Sequence, residues 1–305
     1  MELKKFMKNN GEIIVKPISR ELAKNICINN HYSKKWNTSF GKYNFGIFKS
    51  NNIEKCLGCA VFGNLMNPKS YKSICDDITS DNIVELNRLW VDDELGHNTE
   101  TVFLSLCFKW LKHNTNIKLV QSFADGRLGC GTIYKASNFK YYGCSKTLFF
   151  ENIKTGETIH KVPFENTSRL VKMVGENLGY IRGYFKPFYV KTYRYIYFID
   201  KEYEGKCLLK REKYPEYQKG LDYVEYKHPC TLMARCLYAT KKIGMVDLTK
   251  EFLEFMNDNF SKNEIKESID VAIKNENLNK YLEEKNKDDV IKKINKYNDK
   301  YKNNI

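Results

Sequence analysis

Two hydrophobic periods alternate along this chain, and they divide it into strands and helices before any single residue is considered. From Ile83 the sequence reads IVELNRLW, with Ile83, Glu85, Asn87 and Leu89 alternating with Val84, Leu86, Arg88 and Trp90. A period of two predicts a half-buried strand. The polar turn Asp92–Asn98 follows, with Asn98 placed to cap a helix. Val102, Phe103, Leu106, Phe108, Trp110 and Leu111 then recur at helical spacing, and Lys118–Ala124 reads as a second strand that ends in Asp125.

The flanks parse in the same way. Glu12–Ile18 predicts a strand, and Ser19 caps a helix over Arg20–Asn29 with Leu22, Ala23 and Ile26 inward. Phe40–Phe48 and Ile53–Leu65 predict a hairpin turning at Ser50-Asn51-Asn52, and Asn67–Asp81 a loop. Thr132–Asn138 reads as a short helix, Tyr141–Phe150 and Thr158–Val162 as strands, Arg169–Leu178 as a helix and Val190–Ile199 as a closing strand. Leu248–Phe260 is amphipathic, while Ser261–Ile305 is highly charged with sparse apolar residues. The latter predicts an exposed helical tail, a pairing surface or partial disorder. The domain expectation is residues 1–217, then a helical extension over 218–305, through which a homodimer could form.

Composition narrows the classes. The 305 residues are 42% hydrophobic, enough to bury a sizeable core, and no apolar run approaches a membrane span. MELKKFMKNNGE has no apolar stretch behind it, so no secretory leader is expected. The ten cysteines read as reduced thiols in a cytosol, with Cys56 and Cys59 in an apolar strand as core. A net charge of +14 suits an anionic partner. Yet Lys, Asn, Ile and Tyr are enriched together, as an AT-rich genome would impose, so charge permits nucleic acid without establishing it.

Several side chains carry chemistry. A strand that turns on Gly into a helix leaves backbone N–H groups at a positive helix end, so Gly96, His97, Asn98 and Thr99 could hold a pyrophosphate, or form a plain polar turn. Arg88 in an apolar strand needs a cleft or a carboxylate. At strict alternation Glu85 faces away from it, which leaves Asp125 as the expected partner. His31 and Tyr32 stand at a helix end beside Lys34, Lys35 and Trp36, a mixture that suits a phosphate backbone and a stacked base. Tyr180–Phe198 is the most basic-aromatic stretch, with Arg182, Lys186 and Lys191 offered to DNA; the bland alternative is an amphipathic strand with its basic side in water.

The element order from Ile83 to Gly143 resembles the central part of GNAT acyltransferases. His31-Tyr32-Ser33, Glu85-Leu86-Asn87-Arg88-Leu89, Ala124-Asp125-Gly126 and Gly131-Thr132-Ile133-Tyr134-Lys135-Ala136-Ser137-Asn138-Phe139 resemble more specifically the phage Mom family. Those GNAT-like enzymes place a carbamoylmethyl group on N6 of adenine in DNA. The resemblance covers about the first 215 residues; it departs in a shorter loop between Asp125 and Gly131 and in keeping one glycine of the usual phosphate loop.

It implies an α+β fold with a GNAT-like central mixed sheet, flanking helices and a helical C-terminal extension. It also implies a phage-encoded enzyme in the host cytoplasm, where it would protect phage DNA from restriction. The acceptor would be double-stranded DNA with a flipped adenine, and the cofactor acetyl-CoA or another acyl-CoA held by Leu89, Trp90, Val91 and the Gly96–Thr99 turn. The catalytic group would be His31, Tyr32, Arg88, Asp125 and Tyr134, with Tyr134 placed to protonate a leaving thiolate. A carbamoylmethyl product joins N6 to a CH2, so thioester acyl transfer alone does not form it; another donor or an oxidising step is needed, and His31, Tyr32 and Asp125 could ligate iron. The competing readings are an N-acetyltransferase acting on a protein or small amine, and a non-catalytic DNA-binding protein.

Overall fold

The computed structural model describes residues 2–7, 11–160, 169–216, 223–224, 229–284 and 286–302. In order the elements are β1 (Leu3–Met7), β2 (Gly11–Pro17), α1 (Arg20–Asn30), β3 (Tyr43–Lys49), β4 (Gly58–Gly63), β5 (Ile83–Val91), α2 (Thr99–Asn114), β6 (Leu119–Asp125) and α3 (Thr132–Ala136). There follow β7 (Lys140–Asn152), β8 (Thr158–His160), α4 (Arg169–Ile181), β9 (Phe185–Phe198), β10 (Tyr223–Val224), α5 (Cys230–Ile243), α6 (Val246–Asn259), α7 (Lys262–Ile273), α8 (Glu276–Glu284) and α9 (Lys287–Lys302). The end of the expected Thr158–Val162 strand and the expected 217/218 boundary lie outside the described residues. The chain forms two compact units, one of residues 1–145 and 191–222, the other of 146–190 and 223–305.

In the first unit the strands run β1-β2-β3-β4-β5-β6-β9, antiparallel throughout except for the parallel pair β5–β6. Period-two alternation buries β4 on both faces: Ala60 and Phe62 pack against α2 through Phe103 and Phe108, while Cys59 and Val61 pack against Ala23, Ile26 and Cys27 of α1. Ser19 caps α1 by accepting the Leu22 N–H, although Leu22 itself points outward and Cys27 takes the inner place. Gly58 has no room for a side chain, since a Cβ would come within 2.7 Å of the Trp90 carbonyl oxygen.

One irregularity alters the expected faces. Val61 pairs with Arg88 but Phe62 with Leu86, so Asn87 is an extra residue in β5, a β-bulge. Before it Val84 and Leu86 join the α2-side core; after it Leu89 and Val91 do, while Trp90 joins the α1 side. Glu85 and Arg88 therefore share a face, contrary to strict alternation.

In the second unit α4 contributes Leu170, Val171, Val174 and Leu178 to one core with Met233, Leu237, Phe252, Ile265, Leu282, Val290 and Ile294 of α5–α9. This shared core groups residues 146–190 with the C-terminal helices. The charged segment from Ser261 is thus no simple exposed tail: Ser261 and Glu264 form a capping box, and Ile265, Ala272, Leu282, Val290 and Ile294 of α7, α8 and α9 are buried in this core, while Val271 and Ile273 stay exposed. No helix among the described residues is long and apolar enough to cross a membrane, and the ten cysteines are free thiols.

Candidate active site

The site begins where β5 and β6 part. They pair only over Ile83–Glu85 and Leu119–Gln121, after which the Ser122 hydroxyl donates to the Leu86 carbonyl and the ladder ends. Both strands run on, to Val91 and Asp125, leaving a fork with open backbone edges. Such a crevice beyond the carboxyl ends of parallel strands is where α/β sheets bind ligands.

A buried polar cluster fills the root of the fork. Glu85 accepts from the Asn87 amide (3.3 Å), the Gln121 amide (3.3 Å) and the Met66 N–H (3.4 Å). Loss of water pushes its carboxyl up, against these bonds and the Arg88 charge. Asn87 Oδ1 and Gln121 Oε1 are buried without a partner. Glu85 and Asn87 are site residues that sequence reasoning passed over. The available signal was two polar residues inside a buried strand; the bulge that aims them was not visible.

Arg88 does not pair with Asp125. Its Nε and Nη2 donate to the Lys35 carbonyl (3.2 and 3.1 Å) and its Nη1 to the Asn87 carbonyl (2.6 Å), while the guanidinium lies 4.5 Å from the Phe40 ring centroid. Arg88 thereby ties the segment after α1 to β5. Asp125 belongs instead to Arg127, which donates through Nε to both carboxylate oxygens (2.9 and 3.1 Å) and through Nη2 at 2.5 Å. A partner two residues away in the same turn is reached at less conformational cost than one on another strand. Arg127 too was missed by sequence reasoning.

The segment pinned by Arg88 carries His31 and Tyr32. The buried His31 has its Nδ1 against the Ser33 hydroxyl (2.9 Å) and the Ser33 N–H (3.1 Å). Burial, then the Arg88 charge, lowers it to about 4, so it is neutral at pH 7. Its ring supports that of Tyr32, with centroids 4.2 Å apart. Tyr32 is 58% exposed at its surface, yet its hydroxyl is pushed up to about 12 by loss of water, then by Asp125 and Tyr134. The buried end of Tyr134 points at the fork, where its hydroxyl donates to the Phe123 carbonyl at 3.5 Å; burial raises it. Tyr32 is thus within electrostatic reach of Arg88, Asp125 and Tyr134, and His31 of Arg88.

Other expected site residues fall differently. Leu89, Trp90 and Val91 lie on the fork side of β5 beyond its pairing with β6. Gly96 adopts φ +66° with open space where a side chain would be, and α2 starts without a side-chain cap. Asn98 occupies the cap position, but in the left-handed region (φ 65°), and makes no capping bond; the Thr99 hydroxyl turns inward to the Leu95 and Gly96 carbonyls. His97 is exposed. Lys34 and Lys35 are exposed, whereas Trp36 is half-buried, packed edge-on to Phe40 with Arg20 over its ring. In the second unit Arg182 is bound through two nitrogens to Glu251 (2.8 and 2.7 Å), while Lys186 is exposed. Lys191 lends its carbonyl to the Gly126 N–H. Among the described residues no three His, Cys, Asp or Glu could together hold a metal ion. With His31 Nδ1 and both oxygens of Asp125 engaged, the geometry lends the iron expectation no support.

The Mom protein family matches residues 12–216. Methylcarbamoylase mom of Escherichia phage Mu is 30% identical over 214 residues, 68% of this chain and 84% of that protein. Among solved structures, Arabidopsis thaliana NAA60 in complex with acetyl-CoA aligns with 10% identity and a TM-score of 0.38, covering 61% of this chain and 99% of that one. A ribosomal-protein-S5-alanine acetyltransferase from Vibrio fischeri gives 10% identity, a TM-score of 0.38, and coverage of 65% and 98%.

Proposed function

The chain belongs to the Mom protein family, and from that premise we propose that it is a transferase that modifies N6 of adenine in DNA, adding a carbamoylmethyl group. The observation that carries the reading is the convergence of His31, Tyr32, Arg88 and Asp125 beside the β5–β6 fork. The residues matched by the family resemblance come from three separate stretches of sequence and meet at one place.

The geometry supports the following roles. Adenine must leave the duplex to expose N6 to a recessed carboxylate. The open face of Tyr32 takes the extruded base, with neutral His31 as its backing. Arg88 holds that segment through Lys35, which makes it a positioning residue. As the N6–C bond forms, N6 gives up one proton; Asp125 accepts it, aimed by Arg127.

An acyl-CoA cofactor fits the open edge of Leu89–Val91 and the uncapped start of α2 at Gly96–Thr99, where backbone N–H groups and the helix dipole favour phosphate. Glu94 beside that turn does not oppose the fit, because Lys55 and Lys49 bind it and hold its carboxyl at about 2. When bound, such a cofactor would supply a thioester-activated acyl group. Acyl transfer alone would join N6 to a carbonyl, so the CH2 that N6 carries in a carbamoylmethyl product would come from a further donor. The protonated hydroxyl of Tyr134 stands ready as a donor at the fork.

Nucleosides from plasmid DNA of cells expressing the chain, measured by mass spectrometry, test the reading. A heavier adenosine is expected with the natural sequence and is expected to vanish with Asp125→Ala. Unmodified adenosine throughout, or acetylated peptide in its place, overturns it.

A further inference from the structure

The turn after β6 points Asp125 inward and Leu128 outward. It is fastened at several points. The Gly126 N–H donates to the Lys191 carbonyl (2.8 Å), the Leu128 N–H to the Asp125 carbonyl (2.9 Å), and the Tyr195 hydroxyl to the Cys130 carbonyl. A Cβ on Gly126 would come within 2.5 Å of the Lys191 oxygen, so the backbone is pressed against β9. Gly129 and Gly131 take φ values of +127° and +87°, which lets the chain turn back into α3. On this fastened turn Leu128 stands 63% exposed.

A single exposed leucine is ordinary on a protein surface. Leu128 differs in its neighbours. Asp125, three residues before it, is recessed, with 14% of its side chain exposed, and His31 is buried. An adenine still stacked in a duplex cannot bring N6 to such a depth. The extruded base leaves an apolar gap, and proteins that open base steps commonly fill it with an aliphatic side chain. Tyr32, whose hydroxyl feels the charges of Asp125 and Arg127, offers its open ring to the departing base. Lys34 and Lys35 beyond it suit the flanking phosphates.

We propose that Leu128 is the wedge that enters the base stack of duplex DNA as the target adenine turns out toward Tyr32. This rests on the DNA-adenine reading. The test uses the purified full chain and duplexes carrying 2-aminopurine at the target position, alongside nucleoside mass spectrometry of plasmid DNA from expressing cells. With the natural sequence, binding raises 2-aminopurine fluorescence. With Leu128→Ala, duplex binding persists within about twofold, while the fluorescence rise and the plasmid modification each fall about tenfold. Placing 2-aminopurine opposite an abasic site restores the rise, and Leu128→Met stays near the natural level. An undiminished fluorescence rise with Leu128→Ala, or no rescue by the abasic site, overturns the wedge assignment. A natural protein that neither binds duplex DNA nor modifies it overturns the adenine reading itself.

Discussion

His31–Trp36 and Tyr180–Lys191 have nearly the same composition, basic residues interleaved with aromatic ones, and the fold uses them in opposite ways. In the first, Tyr32 lies open on a buried imidazole, and Arg88 fixes the backbone beneath it. In the second, Phe185 packs on Phe150, Phe188 on Phe149 and Tyr180 on Phe255, while Arg182 is held by Glu251. The aromatics of the first stretch include a surface that a base can stack on; in the second, Phe185 and Phe188 are core and Tyr180, Tyr184 and Tyr189 are half-buried. What separates a nucleic-acid surface from a sheet edge is therefore which ring faces and which charges remain available after folding.

The comparison can be broken most directly by truncating one aromatic from each stretch. Phe185→Ala is expected to cost about 3–5 kcal/mol of stability as a buried ring is lost. Tyr32→Ala should leave the melting temperature close to natural yet lower plasmid adenine modification between about tenfold and a hundredfold, the scale of base–aromatic stacking. Equal stability losses in the two variants would erase the distinction.

Acid sharpens it next. His31 has a folded value of about 4 against an ordinary 6.5, so the unfolded chain takes up a proton first as pH falls. Its contribution is complete above pH 6.5, is lost between 6.5 and 4, and changes no further below that. The loss amounts to about 3 kcal/mol. Denaturant titrations at pH 7 and pH 4.5 should show this slope in the natural sequence and a shallower one in His31→Gln.

Arg88→Ala removes the hydrogen bonds its guanidinium gives to the Lys35 and Asn87 carbonyls and should cost about 2 kcal/mol. Arg88→Lys should recover little of it, because an ammonium does not reproduce the planar fork. The smallest effect is expected at Arg182. Its ion pair with Glu251 is partly exposed, so Arg182→Ala should cost about 1 kcal/mol or less and leave DNA modification within about twofold. A larger drop in modification would return the second stretch to the DNA-binding surface.

Period and punctuation in the sequence determined most of the elements: the strand from Ile83, the helix behind Asn98, the strand ending in Asp125 and the short helix of Tyr134 all form close to where the pattern places them. The family motifs also marked His31, Tyr32, Arg88, Asp125 and Tyr134 as a set. The β1 strand went unseen, being short and at the sheet edge, with Phe6 in solvent. The charged C-terminal helices looked like a tail because each contributes only a few apolar residues, and their burial depends on α4 and α5 supplying the rest.

Pairings were beyond the sequence for a related reason. A bulge at Asn87 shifts alternation by one residue, so Glu85 and Arg88 come to one face, and a turn of three residues gives Asp125 to Arg127 rather than to Arg88. Alternation is a property of a strand considered alone. Register, bulges and the choice among competing charge partners are settled between strands and turns, by which contacts satisfy the most buried polar groups at once, and only tertiary structure carries that information.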